Sequence, residues 1–293
     1  MNASPRSLQP FQLEVPGGPP LDGVLHAPHR PPPWPAVVVC HGFKGFMDWG
    51  FFPVLCTLLA DRGMAAVRFN YAGSGQRPGE DRVSDLDAFR SNTHSRELEE
   101  TVAVVRALGP TLGKGCIDRD RIGLVGHSRG GGAALLAAAD PRLAGRIGAL
   151  ITWAAVASFE RYDRATRQAW RSRGELEIVN GRTGQHLPLG LGLLDDIEAH
   201  ARGGHLDLEA AAARRRMPWL ILHGTEDEAV DFTDARRLAA AAVPPVELHA
   251  IEGAGHTFGA RHPFAGPTPH LIEAMNVTQT WLKRHLRGAS PWG

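Results

Sequence analysis

The chain is 293 residues long, enough to bury a large core, and its formal net charge of +1 gives no electrostatic reason to expect nucleic acid or an anionic membrane as a partner. Its cysteines, Cys40, Cys56 and Cys116, are widely spaced and form no C-x-x-C, which points to reduced thiols and not to a disulfide framework. Residues 1–10 lack the basic and apolar regions of a signal peptide, and no apolar run reaches the ~18 residues of a membrane span, so the expected setting is the cytoplasm. Basic residues are overwhelmingly arginine, the only lysines being Lys44, Lys114 and Lys283.

In chain order, residues 11–15 and 21–26 alternate in polarity around Pro16-Gly17-Gly18-Pro19, which predicts an antiparallel hairpin. After a proline-broken run, residues 36–40 form a continuous apolar, valine-rich stretch, the mark of a strand buried on both faces of a parallel sheet. Helical spacing over 51–62 ends at Gly63, and 65–70 reads as a second buried strand. The alternation continues with a helix over 95–108, an apolar strand before Ser128, an Ala-rich helix after it, and a strand over 147–155. Strand 219–223, helix 232–242, strand 246–251 and helix 270–286 complete the series. Such alternation predicts an α/β fold with a mostly parallel central sheet, helices on both faces and a site at the carboxyl ends of the strands.

About sixty residues, 156–217, interrupt the alternation, too many for a structureless loop. They are expected to fold as a small cap between core strands, with helices over 162–173, 193–202 and 207–216 and a hairpin turning at Asn180-Gly181. The domain reading is therefore a core of 1–155 and 218–293 with an inserted lid of 156–217.

The chemistry centres on Gly126-His127-Ser128-Arg129-Gly130, which fits G-x-S-x-G, the strand-to-helix turn that exposes a nucleophilic serine. The helix that follows begins with unpaired backbone N–H groups, so the N–H of Arg129 is an oxyanion donor by position. His256, in a Gly-rich loop after the last core strand, is the expected base, and Asp227, after the preceding strand, the acid that orients it. Glu226, Glu228, Asp231 and Glu160 compete for that acid role. The loop His41-Gly42-Phe43-Lys44-Gly45 follows the first buried strand and offers the N–H of Phe43 as the second oxyanion donor. Trp49, Trp153, Trp170 and Phe258 are candidate substrate-binding aromatics. Cys40 reads as a small buried hydrophobe and the His127 side chain as packing inside the turn.

Two weaker patterns are set aside. The third glycine of a dinucleotide loop beginning at Gly73 would fall on Pro78. His200 and His205, near Asp195 and Asp196, match no zinc spacing and read as a polar cap surface, so no metal and no cofactor is expected.

The set His41-Gly42-Phe43, Asn70-Tyr71-Ala72-Gly73-Ser74-Gly75, Gly126-His127-Ser128-Arg129-Gly130-Gly131, Gly224-Thr225-Glu226-Asp227 with Val230, and Gly255-His256 resembles the α/β-hydrolase superfamily. Within it the chain is similar to the dienelactone-hydrolase-like branch that includes cinnamoyl (feruloyl) esterases, from about residue 10 to 287. That resemblance implies a serine esterase with Ser128, Asp227 and His256 as triad, a small-molecule ester as substrate, and an insertion that helps form the pocket. Dienelactone hydrolases proper carry cysteine where this chain has Ser128. Peptidase or amidase activity, acyl transfer, and binding without catalysis on the same scaffold stay open at this point.

Overall fold

The computed structural model describes residues 7–286. Strands β1 (Ser7–Leu13) and β2 (Leu21–Ala27) form the expected antiparallel hairpin, and β2 pairs antiparallel with β4 (Ala65–Phe69). Strands β3 (Trp34–Cys40), β5 (Ile117–His127), β6 (Ile147–Trp153), β9 (Trp219–Gly224) and β10 (Val246–Ile251) join β4 in parallel. The eight strands are ordered β1-β2-β4-β3-β5-β6-β9-β10, which puts β5, with its serine turn, in the middle of the parallel part.

Because side chains alternate along a strand, β3 serves two cores at once. Val37 and Val39 meet Phe52 and Leu55 of α1 (Phe52–Asp61) and Leu271 and Leu282 of α9 (Pro269–His285) on one face. Ala36, Val38 and Cys40 face α3 (His94–Ala107), α4 (Arg129–Ala138) and α8 (Phe232–Ala241) on the other. Helix starts carry their own caps: Thr93 accepts from the N–H of Arg96, Asp231 from that of Thr233, and Thr268 from that of Leu271 ahead of Pro269.

Most element ends shift by a few residues from the sequence expectation, β1 by four at its start, and two differences have a plain physical reason. Strand β6 stops at Trp153 and not at residue 155, because Ala154 adopts a left-handed backbone, φ 49°, that cannot continue a strand. A short helix, α2 (Leu86–Ser91), capped by Asp85, fills a stretch given no element from its sequence, its single turn and a half being too brief for a periodic signal.

Residues 156–217 carry α5 (Arg164–Arg173), a two-stranded hairpin of β7 (Glu175–Val179) and β8 (His186–Gly190), α6 (Leu191–His200) and α7 (Leu208–Arg214). Its apolar side chains, Trp170, Leu187, Leu189, Leu193 and Leu194 among them, belong to the same buried cluster as α3 and α4. Among the described residues no helix is long and apolar enough to cross a membrane.

Leu282 is fully buried between α9 and the sheet, with its Cδ2 against Gly123 of β5. Leu282→Ala should lower the unfolding free energy by about 2–5 kcal/mol, read as a reduced denaturation midpoint at unchanged slope.

Candidate active site

Strand β5 runs straight into Ser128, whose backbone lies at φ 56°, ψ −125°, far from the basins that L-residues prefer. Such a conformation costs about 1–3 kcal/mol and persists only where its surroundings over-determine it. Here the surroundings are mostly backbone, with the Ala155 methyl and the Phe159 ring behind the helix start. A Cβ at Gly126 would stand 2.2 Å from the carbonyl oxygen of Gly130, so only glycine lets the strand pass the helix that follows. The next three positions face three neighbours: added Cβ atoms would meet the His41 carbonyl oxygen at 2.3 Å from Gly130, the Ala155 Cβ at 2.6 Å from Gly131 and the Phe159 ring at 3.0 Å from Gly132. The Ser128 N–H donates to the Trp153 carbonyl at 2.8 Å and its own carbonyl accepts from Gly131 at 2.9 Å, fixing the turn from both sides.

The structure brings Ser128, His256 and Asp227 together. His256 Nε2 lies 3.0 Å from Ser128 Oγ, and His256 Nδ1 lies 2.8 Å from Asp227 Oδ2. With Nδ1–H donating to the carboxylate, Nε2 is left to accept the serine hydroxyl proton. Asp227 is anchored in turn: its Oδ1 accepts from the N–H groups of Ala229 and Val230, each at 2.9 Å. Burial alone would raise its pKa, but hydrogen bonds from His223 and His256 and from the Val230 N–H outweigh that and hold the carboxyl well below the usual carboxylate range. The competing acids are elsewhere: Glu226 and Glu228 are exposed, Asp231 caps α8, and Glu160 pairs with Arg202.

Two buried imidazoles support this arrangement without sharing its role. His127 Nε2–H donates to the His256 carbonyl at 2.9 Å and thereby holds the loop that carries His256. Burial pushes its pKa down to about 3, so it stays neutral. His223 Nε2–H donates to the Val230 carbonyl at 2.7 Å and lies 3.3 Å from Asp227 Oδ2. Neither role is legible in the sequence, where both histidines simply flank apolar strands.

The loop after β3 lies against the serine: a Cβ at Gly42 would be 2.9 Å from the Ser128 Cβ. His41 holds the loop, donating from Nδ1 to the Gly42 carbonyl at 2.9 Å and accepting the Tyr71 N–H at Nε2, 3.2 Å. Burial lowers its pKa to about 4. The Tyr71 hydroxyl donates to Thr101 Oγ1 at 2.9 Å, and Thr101 donates to the Glu97 carbonyl at 2.8 Å. Arg129, first residue of α4, has no intrahelical acceptor for its N–H.

The Arg129 side chain also has work that its position in the motif did not announce. Its Nη2 meets buried Glu97 Oε1 at 2.5 Å, and its guanidinium stands 4.3 Å from the centre of the Phe43 ring. Asn92 Nδ2 donates to the same carboxylate oxygen at 2.8 Å. Burial would raise the Glu97 pKa, yet Arg129 and the hydrogen-bond donors around it bring it down to about 2. The available signal was a pair of acidic residues, Glu97 and Glu100, on the inward face of an otherwise apolar helix stripe.

A cavity of about 320 Å³ opens above the serine, lined by Phe43, Lys44, Phe159, Tyr162, Leu193 and Val230 besides Ser128 and His256. None of the four aromatics singled out as substrate-binding lines it. Trp153 is fully buried under the sheet with its indole N–H on Thr278 Oγ1, and Phe258 packs edge-on against it. Trp170 is fully buried within the insert against Tyr162, and Trp49 packs on Phe51, Phe52 and His262. Trp153, Phe258 and Trp49 pack on the other face of the sheet from the cavity, and Trp170 lies in the core of the insert. Cys40 is buried and its pKa is raised by that burial to about 11, which leaves it an inert thiol.

The polar groups of the insert are closer than their spacing implied. Ligand atoms of Asp196, His200 and His205 all lie within 4.8 Å of one another, because α6 sets the first two one turn apart and the chain then doubles back. Asp196 is already engaged by Ser95, whose N–H donates to it at 2.9 Å, and Asp195 pairs with Arg171.

Parallel strands β5, β9 and β10 bring a strained serine, an aspartate and a histidine together at their carboxyl ends, the arrangement of a hydrolase fold. The chain belongs to the alpha/beta hydrolase family, whose model matches residues 37–266. Among curated proteins it is 27% identical over 222 residues to the 2,6-dihydropseudooxynicotine hydrolase of Paenarthrobacter nicotinovorans. The match takes in 74% of this chain and 51% of that protein, so the chain spans about half the length of that relative. Among solved structures, Est1E of Butyrivibrio proteoclasticus with ferulic acid bound aligns at TM-score 0.68 with 22% identity, covering 94% of this chain and 99% of that one. GrgF, an alpha/beta hydrolase of Penicillium sp. sh18, aligns at TM-score 0.71 with 19% identity over 97% and 99% of the two chains. At these identities the structural likeness speaks for the fold.

The Glu97 carboxyl titrates near 2 in the fold against an ordinary value of 4.5, so in acid the unfolded chain binds the proton first. The contribution of the Glu97–Arg129 pair is therefore complete above about pH 4.5 and is lost as the pH falls toward 2. Glu97→Gln strands a buried guanidinium and should lower the neutral-pH unfolding free energy by about 3–5 kcal/mol. The gap to the wild type should close in acid; urea titrations near neutrality and near about pH 3 measure both, and a gap independent of pH would contradict this account.

Proposed function

We propose that this hydrolase is a serine carboxylesterase, of the EC 3.1.1 class, acting through an acyl-enzyme on a small-molecule ester. The observation that carries the reading is the continuous relay from Ser128 Oγ to His256 Nε2 at 3.0 Å and from His256 Nδ1 to Asp227 Oδ2 at 2.8 Å, beneath a cavity open to a small ligand. As Ser128 Oγ bonds to the ester carbonyl carbon, its proton passes to His256 Nε2, and Asp227 stabilises the imidazolium that results. The carbonyl oxygen, now anionic, is received by the N–H groups of Phe43 and Arg129. Collapse of this intermediate breaks the carbon–oxygen bond, and the leaving alcohol takes the proton from His256. Water then repeats the sequence: His256 takes its proton, its oxygen bonds to the acyl carbon, and Ser128 leaves with its proton restored.

The insert of residues 156–217 acts in this reading as the cap that shapes the cavity, since Phe159, Tyr162 and Leu193 supply part of its apolar wall. Neither a metal nor a cofactor takes part in the scheme. The thiols of Cys40, Cys56 and Cys116 are free, which supports a cytoplasmic setting.

Ser128→Ala should lower kcat/KM on 4-nitrophenyl esters by about 10⁴-fold or more, and Asp227→Asn, which misorients His256, by about 10⁴-fold. A fluorophosphonate should add to Ser128 in the wild type and leave the Ser128→Ala protein unmodified, as read by intact mass. Turnover of peptide amides in preference to esters would reassign the chain to the peptidases or amidases. Transfer of the acyl group to an added alcohol ahead of water would make it an acyltransferase, and absence of both adduct and turnover would leave a binding protein.

A further inference from the structure

The charged side chains that line the cavity, apart from its histidines, are Lys44, Arg129 and Arg161, and no aspartate or glutamate lines it with them. Two of these cations are already balanced. Arg129 meets Glu97 at 2.5 Å, and Arg161 meets Asp234 at 3.2 Å while donating to the Ala229 carbonyl at 2.9 Å. Lys44 is different: among the described residues no carboxylate comes within ion-pairing reach of its Nζ, whose interaction is with the face of Phe43, 5.6 Å from the ring centre. It is half-buried, and the burial alone lowers its pKa.

The backbone makes this placement more pointed. Lys44 has φ 57°, a left-handed conformation in a loop that contains Gly42 and Gly45, where a glycine would be accommodated without strain. A side chain is thus kept where the backbone disfavours one, and it is the residue directly after the proposed oxyanion donor Phe43. The same Phe43 ring has the Arg129 guanidinium 4.3 Å from its centre, but that charge is balanced by Glu97, so the uncompensated positive charge on this wall of the cavity is that of Lys44. A neutral ester gives such a wall nothing to pair with. At about 320 Å³ the cavity is near the lower end of those that hold small ligands, so a charged group on the substrate cannot sit far from Lys44.

We propose that the acyl portion of the substrate carries a free carboxylate a few bonds from the scissile carbonyl, and that Lys44 is the residue that receives it. The substrate class is then a half-ester of a short dicarboxylic acid. This rests on the esterase reading above for the reaction, and on the unpaired cation for the specificity. The Nζ donates to the carboxylate in the Michaelis complex and keeps that contact in the acyl-enzyme, since the acyl portion stays bound until water releases it. Lys44 selects the substrate and does not touch the bond being broken.

The test compares 4-nitrophenyl hemiglutarate with 4-nitrophenyl butyrate. The wild type should favour the hemiglutarate in kcat/KM by about tenfold or more. Lys44→Met should reduce that preference at least about tenfold, chiefly by raising KM for the hemiglutarate, and Lys44→Arg should restore most of it. A preference that is absent in the wild type, or equal in wild type and Lys44→Met, overturns the proposal while leaving the esterase reading intact. Calorimetric binding of glutarate to Ser128→Ala separates the two ideas. If neither ester is turned over, the esterase reading falls, and glutarate affinity weakened about tenfold by adding Lys44→Met still supports the anion site. Glutarate binding that ignores Lys44, or no glutarate binding, overturns it.

Discussion

The backbone at Ser128 is held in a conformation that an isolated chain would leave, and most of the parallel sheet contributes to holding it. Strand β5 lies between β3 and β6, and the serine N–H is tied to the Trp153 carbonyl at the end of β6. On the other side, the carbonyls of Cys40 and His41 at the end of β3 press against Gly130. The strain is thus spread over three strand ends, each stabilised by the apolar layers on both faces of the sheet. What this achieves is placement: a hydroxyl held at the floor of the cavity and aligned with the imidazole, before any ligand arrives.

Around that hydroxyl the fold controls which groups carry charge. His41 and His127 are buried with pKa values near 4 and near 3, so at neutral pH they orient backbone without adding charge. Negative charge is concentrated on Asp227, fixed by two N–H groups, and on Glu97, which is balanced by Arg129. The chain of hydrogen bonds from His41 through Tyr71 and Thr101 to the Glu97 backbone links the loop after β3 to the helix that bears this carboxylate. A low-dielectric interior makes each unpaired polar group costly, so a satisfied network of this kind specifies one arrangement of the site.

The sequence carries the frame of the molecule openly because the frame is written in local pattern. The valine run before Cys40 and the strand before Ser128 can only be buried on both faces, and the order of Ser128, Asp227 and His256 follows from which strand each one ends. The lining of the cavity is a different kind of information. Trp153 lies beneath the sheet because its place in the alternation of β6 puts it on the same face as Ala149 and Ile151, and Phe159 and Tyr162 enter the wall only through the packing of the insert on α3 and α4. Glu97 illustrates the same limit: a charged residue on a helix ordinarily faces water, and only the tertiary position of Arg129 gives it a reason to be inside.

The three glycines that open α4 answer to three separate parts of the molecule: Gly130 to the loop after β3, Gly131 to the segment beyond β6, and Gly132 to Phe159 at the start of the insert. Each is a spacer of zero thickness. A methyl group added at one of them would not merely crowd the helix; it would displace a different neighbour relative to the serine in each case. Helix α4 is therefore the datum from which the distances of the loop after β3, the strand end and the cavity wall are all set. Alanine at each of these consecutive positions would therefore press on a different part of the molecule: the loop after β3 at 130, the segment beyond β6 at 131, and Phe159 in the cavity wall at 132.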